Sequence, residues 1–149
     1  MELHIVRSVT LPITAEQAFE LLRHSATLVK VAAGMVEYDN ADDFPAQWEI
    51  NSTVNLRPRI WGIPQGDHFV EFVLIDADQQ LLVTNEYGGK IKSWHHRMEL
   101  KNFADRSCLY TDRIVIDAGL FTWVVWLFAK LFYRHRHRRW LRLLDEGKL

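Results

Sequence analysis

LFTWVVWLFAKLFYRHRHRRWLRLLDEG, residues 120–147, is the stretch on which the fold turns. No glycine or proline interrupts it before Gly147, so it reads as one long helix stopped by that glycine. At 100° per residue its second half sorts into two stripes. Tyr133, His137, Trp140 and Leu144 share one, continuing back to Trp126 and Ala129. Arg134, Arg138, Arg142 and Asp145 share the other. The first stripe is expected to face inward, with His137 bonded to a backbone or carboxylate partner, and the arginines to face outward. Traced towards the N-terminus, the basic stripe runs into Trp123, Leu127 and Leu131. The helix is therefore apolar all round in its first half and amphipathic only in its second, and an all-round apolar segment needs covering on both sides.

The rest of the chain must supply one of those covers. Glu2–Leu11 alternates as a strand, with Leu3, Ile5, Arg7 and Val9 on one face. Pro12 ends it. Thr14-Ala15-Glu16-Gln17 then forms a capping-box pattern opening a short helix, and residues 25–34 give a second, stopped by Gly34. From Met35 onward the period changes to two. MVEYD, WEINSTVNLRPRI, HFVEFVLID, QLLVTNEY, KIKSWHHRMEL and SCLYTDRIVID are strand-like and separated by short turn signals. Connections this short require antiparallel pairing. The expectation is a single α+β domain over residues 1–149. In it, a curved antiparallel seven-stranded sheet wraps around the long C-terminal helix, with two short helices after the first strand. A sheet gripping a helix in this way encloses a space between them, so a cavity is expected as well.

Composition removes several functions. The net charge is −1; five arginines without an acid put +5 on residues 133–142, leaving −6 for the remainder. One basic segment on an acidic body is not a nucleic-acid face, so no nucleic-acid partner is expected. The single cysteine, Cys108, excludes an internal disulfide and fits a reducing compartment. The first residues lack the continuous apolar core of a signal peptide, and the run Leu120–Phe132 is shorter than the roughly 20 residues needed to span a bilayer. The expected location is the cytoplasm, with the C-terminal helix free to act at a membrane periphery.

Three strings, Trp94-His95-His96, Tyr110-Thr111-Asp112-Arg113 and YRHRHRRW at 133–140, join the element order in a resemblance. Over nearly its whole length the chain resembles the START and birch-pollen-allergen-like superfamily, including its polyketide cyclase/dehydrase-like and coenzyme Q-binding branches, and looks like bacterial members of it. The resemblance implies the helix-grip fold. It carries over no catalytic motif, because such proteins range from lipid carriers and hormone receptors to cyclases.

The residues themselves nominate a site. Lys92, Trp94, His96, Met98 and Leu100 share one strand face, and Tyr110, Asp112, Ile114 and Ile116 share one face of the next. Their apolar members point these faces inward. His96, Tyr110 and Asp112 then meet in one space, with Glu86 from the preceding strand. A buried His beside an Asp is a candidate base, and Tyr110 a candidate for polarising a carbonyl. The same groups equally serve to satisfy one another, or to orient a ligand's polar end. Trp94, Met98, Ile114, Trp126 and Tyr133 complete the candidate ligand-binding set, and Trp48 and Trp61 add aromatic surface.

No metal or cofactor is expected. His95 and His96 point to opposite faces of a strand, and His135 and His137 lie roughly 200° apart on a helix. No zinc-type spacing, Walker motif or dinucleotide fingerprint occurs. The favoured function is binding, transport or sequestration of an apolar, aromatic or lipid-like small molecule. The alternatives are a polyketide cyclase/dehydrase-like enzyme using His96, Asp112 and Tyr110, and an interaction module. The last would use Trp123, Leu127, Leu131 and the C-terminal arginines to meet a second copy or an anionic membrane.

Overall fold

The computed structural model describes residues Met1–Leu149. In chain order its elements are β1 (Leu3–Leu11), α1 (Ala15–Arg23), α2 (Ser25–Ala32), β2 (Val36–Tyr38), β3 (Thr53–Leu56), β4 (Pro58–Ile60), β5 (Ile63–Pro64), β6 (His68–Asp76), β7 (Leu81–Gly88), β8 (Ile91–Ala104), β9 (Ser107–Asp117) and α3 (Thr122–Asp145). The main sheet runs β1-β9-β8-β7-β6-β3, antiparallel throughout. Irregularities in pairing at Phe72/Leu74, Glu86/Gly88 and Asn102/Ala104 bend the strands and add twist, as bulges do. The resulting trough receives α3.

The helix-grip architecture is the one expected, but the strands divide differently. Six form the main sheet, and β2, β4 and β5 form a separate three-stranded sheet. The segment WEINSTVNLRPRI breaks at Arg57-Pro58, because proline has no N–H to donate to a ladder. Its first part pairs with β6 and its second with β2. MVEYD follows it out of the main sheet.

Local chemistry sets the helix ends. Thr14 caps α1: its Oγ1 accepts from the Gln17 N–H at 3.1 Å, and Gln17 Oε1 accepts from the Thr14 N–H at 3.0 Å. At the far end of α3 the Lys148 N–H reaches Leu143 O at 2.8 Å and the Gly147 N–H reaches Leu144 O at 3.2 Å. That is a Schellman motif, and it places Gly147 in the left-handed region at φ 67°, where a side chain is unfavourable. The 24 residues of α3 give a rod about 36 Å long at 1.5 Å per residue.

α3 lies against β1, β9 and α2. Ala129, Tyr133, His137 and Trp140 are buried, as the helical stripe requires, and Arg134, Arg138 and Arg142 are exposed. Arg136 departs from the expectation for the arginines, being only 7% exposed. It follows Phe132 and precedes Trp140 by one turn each, so it shares their inward face. At the other end of α3, Leu120, Trp123, Val124, Leu127 and Leu131 are all more than half exposed. No helix is long and apolar enough to cross a membrane.

Candidate functional site

Between the trough and α3 lies a cavity of about 620 Å³, within the range of small-molecule pockets. Leu56, Val70, Phe72, Leu82, Met98 and Trp94 floor it from the sheet; Phe128, Phe132, Tyr133, Arg136 and Trp140 roof it from α3; α2 and the small sheet close one side. Its exposed lining residues, Pro64, Gln65, Asp67, Gly89, Lys90, Phe121 and Val124, mark a mouth where the β7–β8 hairpin meets the start of α3. Lys90 Nζ sits 4.0 Å from the Phe121 ring centroid across it.

In and behind the sheet-side wall, carboxylates alternate with imidazoles: His68, Thr84, Glu86 and His96 line the cavity, and Tyr110, Asp112 and His137 lie behind them. His68 Nε2 donates to Glu86 Oε1 at 2.8 Å, and Thr84 Oγ1 donates to Glu86 Oε2 at 2.8 Å. Glu86 Oε2 lies 3.8 Å from His96 Nδ1. On its other side His96 Nε2 donates to Asp112 Oδ1 at 2.6 Å. Asp112 also accepts from Tyr110 Oη at 2.8 Å and from His137 Nε2 at 2.6 Å. An ionised carboxylate only accepts, which fixes these donor directions. The Tyr133 hydroxyl lies 3.4 Å from His96 Nδ1.

The sheet register explains the meeting. Met98 is the cross-strand partner of Asp112, and Thr84 that of His96. His96 and Asp112 are therefore diagonal neighbours on one face, within reach of a ring. His137 comes down from α3 to complete the group.

Burial alone would raise the Asp112 carboxyl. The His96 charge and the hydrogen bonds from His137 and His96 overcome that and hold it well below the usual carboxylate range. Glu86 is likewise depressed against its burial, by hydrogen bonds from His68 and His96. Burial would lower His96, yet Asp112 and then Glu86 raise it above its ordinary value. Both carboxylates thus favour the protonated form of the His96 imidazole that lies between them. Burial pushes the phenols of Tyr38, Tyr110 and Tyr133 up, so they stay protonated.

Of the residues nominated from sequence, Glu86, Trp94, His96, Met98 and Tyr133 line the cavity. Asp112 and Tyr110 are wholly buried and sit behind the wall, reaching the cavity only through His96. Ile114 packs among Ile5, Trp94, Ile116 and Ala129. Trp126 is half-buried at the outer edge of α3, its indole N–H donating to His4 O at 3.0 Å. Trp48 lines the cavity and stacks on Phe72 at 4.8 Å, whereas Trp61 is exposed and edge-on to Phe128. His95 points away from His96 to Asn85, and His135 away from His137 to Ala33 O.

Two cavity groups escaped the sequence reading. His68 is paired with Glu86 from across β6 and β7, a contact that register alone creates. Arg136 carries its guanidinium 5.1 Å from the Tyr133 ring centroid and 5.6 Å from that of Phe132. Its spacing of four from both Phe132 and Trp140 was the available signal.

No protein-family model and no curated protein matches the chain. Solved structures do. A norcoclaurine synthase from Thalictrum flavum, in complex with dopamine and hydroxybenzaldehyde, is 12% identical, with a TM-score of 0.70 over 100% of this chain and 90% of that one. The Zhui aromatase/cyclase from Streptomyces sp. R1128 is 10% identical, with a TM-score of 0.73 over 97% and 94%. A START superfamily protein from Mycobacterium smegmatis is 10% identical, with a TM-score of 0.64 over 95% and 98%. At such identities the likeness defines the fold: this chain is a helix-grip protein of the START and birch-pollen-allergen-like architecture.

Proposed function

We propose that the protein binds a small apolar or aromatic molecule in the cavity between sheet and α3, and carries or sequesters it. The observation that supports this reading is the cavity itself, about 620 Å³ between sheet and helix. A mostly apolar wall with a few placed polar groups is the usual composition of a ligand site. Among proteins of the same fold, the norcoclaurine synthase is bound to dopamine and hydroxybenzaldehyde, two aromatic molecules. The test is native mass spectrometry of the purified full chain, paired with titration of the neutral fluorophore N-phenyl-1-naphthylamine. A co-purifying mass, or saturable fluorophore binding at one site, is expected. A bare chain that also leaves the fluorophore unbound refutes the reading.

Loading through the mouth brings in the exposed apolar side chains around it. Phe121, Val124, Trp61 and Ile63 are exposed there, with Trp123 and Leu127 further along α3. Lys90 and Lys130 beside them carry positive charge, so exchange of cargo with an anionic bilayer surface fits this rim. Flotation with phosphatidylglycerol vesicles, but not with phosphatidylcholine alone, is the expected result, and Trp123→Glu is expected to abolish it. Flotation that is indifferent to both changes removes membrane exchange from the proposal.

One observation favours a second, enzymatic reading: His96, backed by Asp112, reaches the cavity in a form able to give up a proton. In a cyclase-like reaction it would protonate a carbonyl oxygen of bound substrate, with Asp112 and Tyr110 acting through it. On this reading a β-polyketone cyclises with a change in ultraviolet absorbance, and His96→Gln abolishes turnover while fluorophore binding persists. Equal turnover by the His96→Gln variant refutes it.

A further inference from the structure

Arg136 is a buried charge without a contacting counter-charge; Asp112 acts on it only from beyond ion-pair distance. It is 7% exposed, makes no hydrogen bond and has no carboxylate within ion-pair distance. Both carboxylates of the interior are already engaged by imidazoles, Glu86 by His68 and Asp112 by His96 and His137. Arginine stays ionised in proteins, and a buried ion is normally paired. The guanidinium sits over two aromatic rings, those of Phe132 and Tyr133. They leave its hydrogen-bonding edge free, and Arg136 lines the cavity. Tyr38 lines the cavity too, and no partner within the protein takes up its phenol.

We infer that the missing partner belongs to the ligand: Arg136 anchors a carboxylate, and the molecule bound is an amphipathic monoacid seated head-inward. The inference rests on the cavity-binding reading above and specifies its ligand class. A planar guanidinium fork matches a carboxylate in bidentate geometry, and Tyr38 offers a further donor to the same head. Val124 marks the mouth and Arg136 lies twelve residues further along α3, about 18 Å at 1.5 Å per residue. An apolar body of about that length spans from the anchor past Trp94 and Phe128 towards solvent. Chain flexibility is not required of it; a rigid aromatic acid of similar length meets the same contacts.

Displacement of N-phenyl-1-naphthylamine from the full chain by dodecanoate and by dodecan-1-ol tests this directly. The two share a body and differ in the head. The acid is expected to displace the fluorophore at least tenfold more tightly than the alcohol, a difference of about 1.4 kcal/mol. Arg136→Gln is expected to erase that preference, and Arg136→Lys to retain part of it. Equal displacement by acid and alcohol in the unaltered chain overturns the anchor but leaves cavity binding standing. So does a preference that survives Arg136→Gln. A fluorophore that never binds overturns the cavity reading and the anchor with it. The acid–alcohol comparison needs no variant, so a poorly folding Arg136→Gln does not blunt it.

Discussion

Replacing Asp112 by asparagine removes one charge at nearly constant shape, and the surrounding distances allow its effect to be worked out. Asp112 is wholly buried and accepts three hydrogen bonds, at 2.6, 2.6 and 2.8 Å. The asparagine oxygen can still accept from His96 and Tyr110, but its NH₂ then faces the His137 Nε2–H. His137 can escape only by moving its proton to Nδ1, which is buried and has no partner. Some buried polar group is left unsatisfied in either arrangement. Removing one charge from a buried, hydrogen-bonded pair costs roughly 3–5 kcal/mol. At roughly 2–4 °C per kcal/mol for a chain of this size, the melting temperature falls by roughly 6–20 °C.

The pH dependence sharpens the test. In the unaltered protein His96 is raised, so its contribution is fully present below the unfolded value near 6.5 and lost as pH rises through the folded one. Without the Asp112 charge, only Glu86 is left to oppose the burial of His96, so protonating His96 stabilises the variant less than it stabilises the parent. The melting gap between protein and variant should therefore widen from pH 8 to pH 5. Calorimetric or circular-dichroism melts across that range measure it. A loss under about 3 °C, or a gap that narrows towards pH 5, would refute the account of Asp112 as the charged centre of the network.

Below pH 4 the order reverses. Asp112 and Glu86 are depressed, so their stabilisation is present above the unfolded carboxyl value near 4 and lost as pH falls below it; melts at pH 2–4 should show the gap to Asp112→Asn closing again. Gly88→Ala should be severely destabilising, because an added Cβ would meet Asp67 O at 2.3 Å at a φ of 149°; a chemical-denaturation midpoint unchanged from the parent would contradict the close approach at the mouth. Leu127→Ser, at a position 57% exposed, should shift the melting temperature by no more than roughly 2 °C. A large loss would mean that the outer face of α3 is covered by another copy, which sedimentation would then detect.

Much of this was legible in the residues because it depends on local periodicity. Thr14 and Gln17 announce the first helix through a cap that needs only four residues. The alternation of Trp94, His96 and Met98, and of Tyr110, Asp112 and Ile114, settles which face turns inward without knowledge of any partner. What was not legible depends on register or on competition between elements. The pairing of His68 with Glu86 follows from strand offsets that include a bulge, and a bulge leaves no fixed mark in composition. The removal of residues 36–38 to a second sheet reflects a single missing N–H at Pro58. Arg136 was hidden by its neighbours: inside a run of arginines it reads as one more solvated cation. Only the four-residue spacing to Phe132 and Trp140 separates it from Arg134 and Arg138.

The placement of β1 carries a consequence for how the chain is made. Leu3 pairs with Ile116 and Leu11 with Cys108, and β9 is the only strand that β1 contacts in the sheet. During synthesis the first strand emerges with one edge that will not find its mate until about a hundred residues later. At roughly 5–20 residues per second that wait lasts on the order of 5–20 s. The inner faces of the nascent strands stay wet longer still, since α3 follows β9. A ribosome-bound intermediate truncated before residue 107 should accordingly hold its early helices and hairpins but leave β1 unpaired. In that interval β1 is the segment a holding chaperone would most usefully cover.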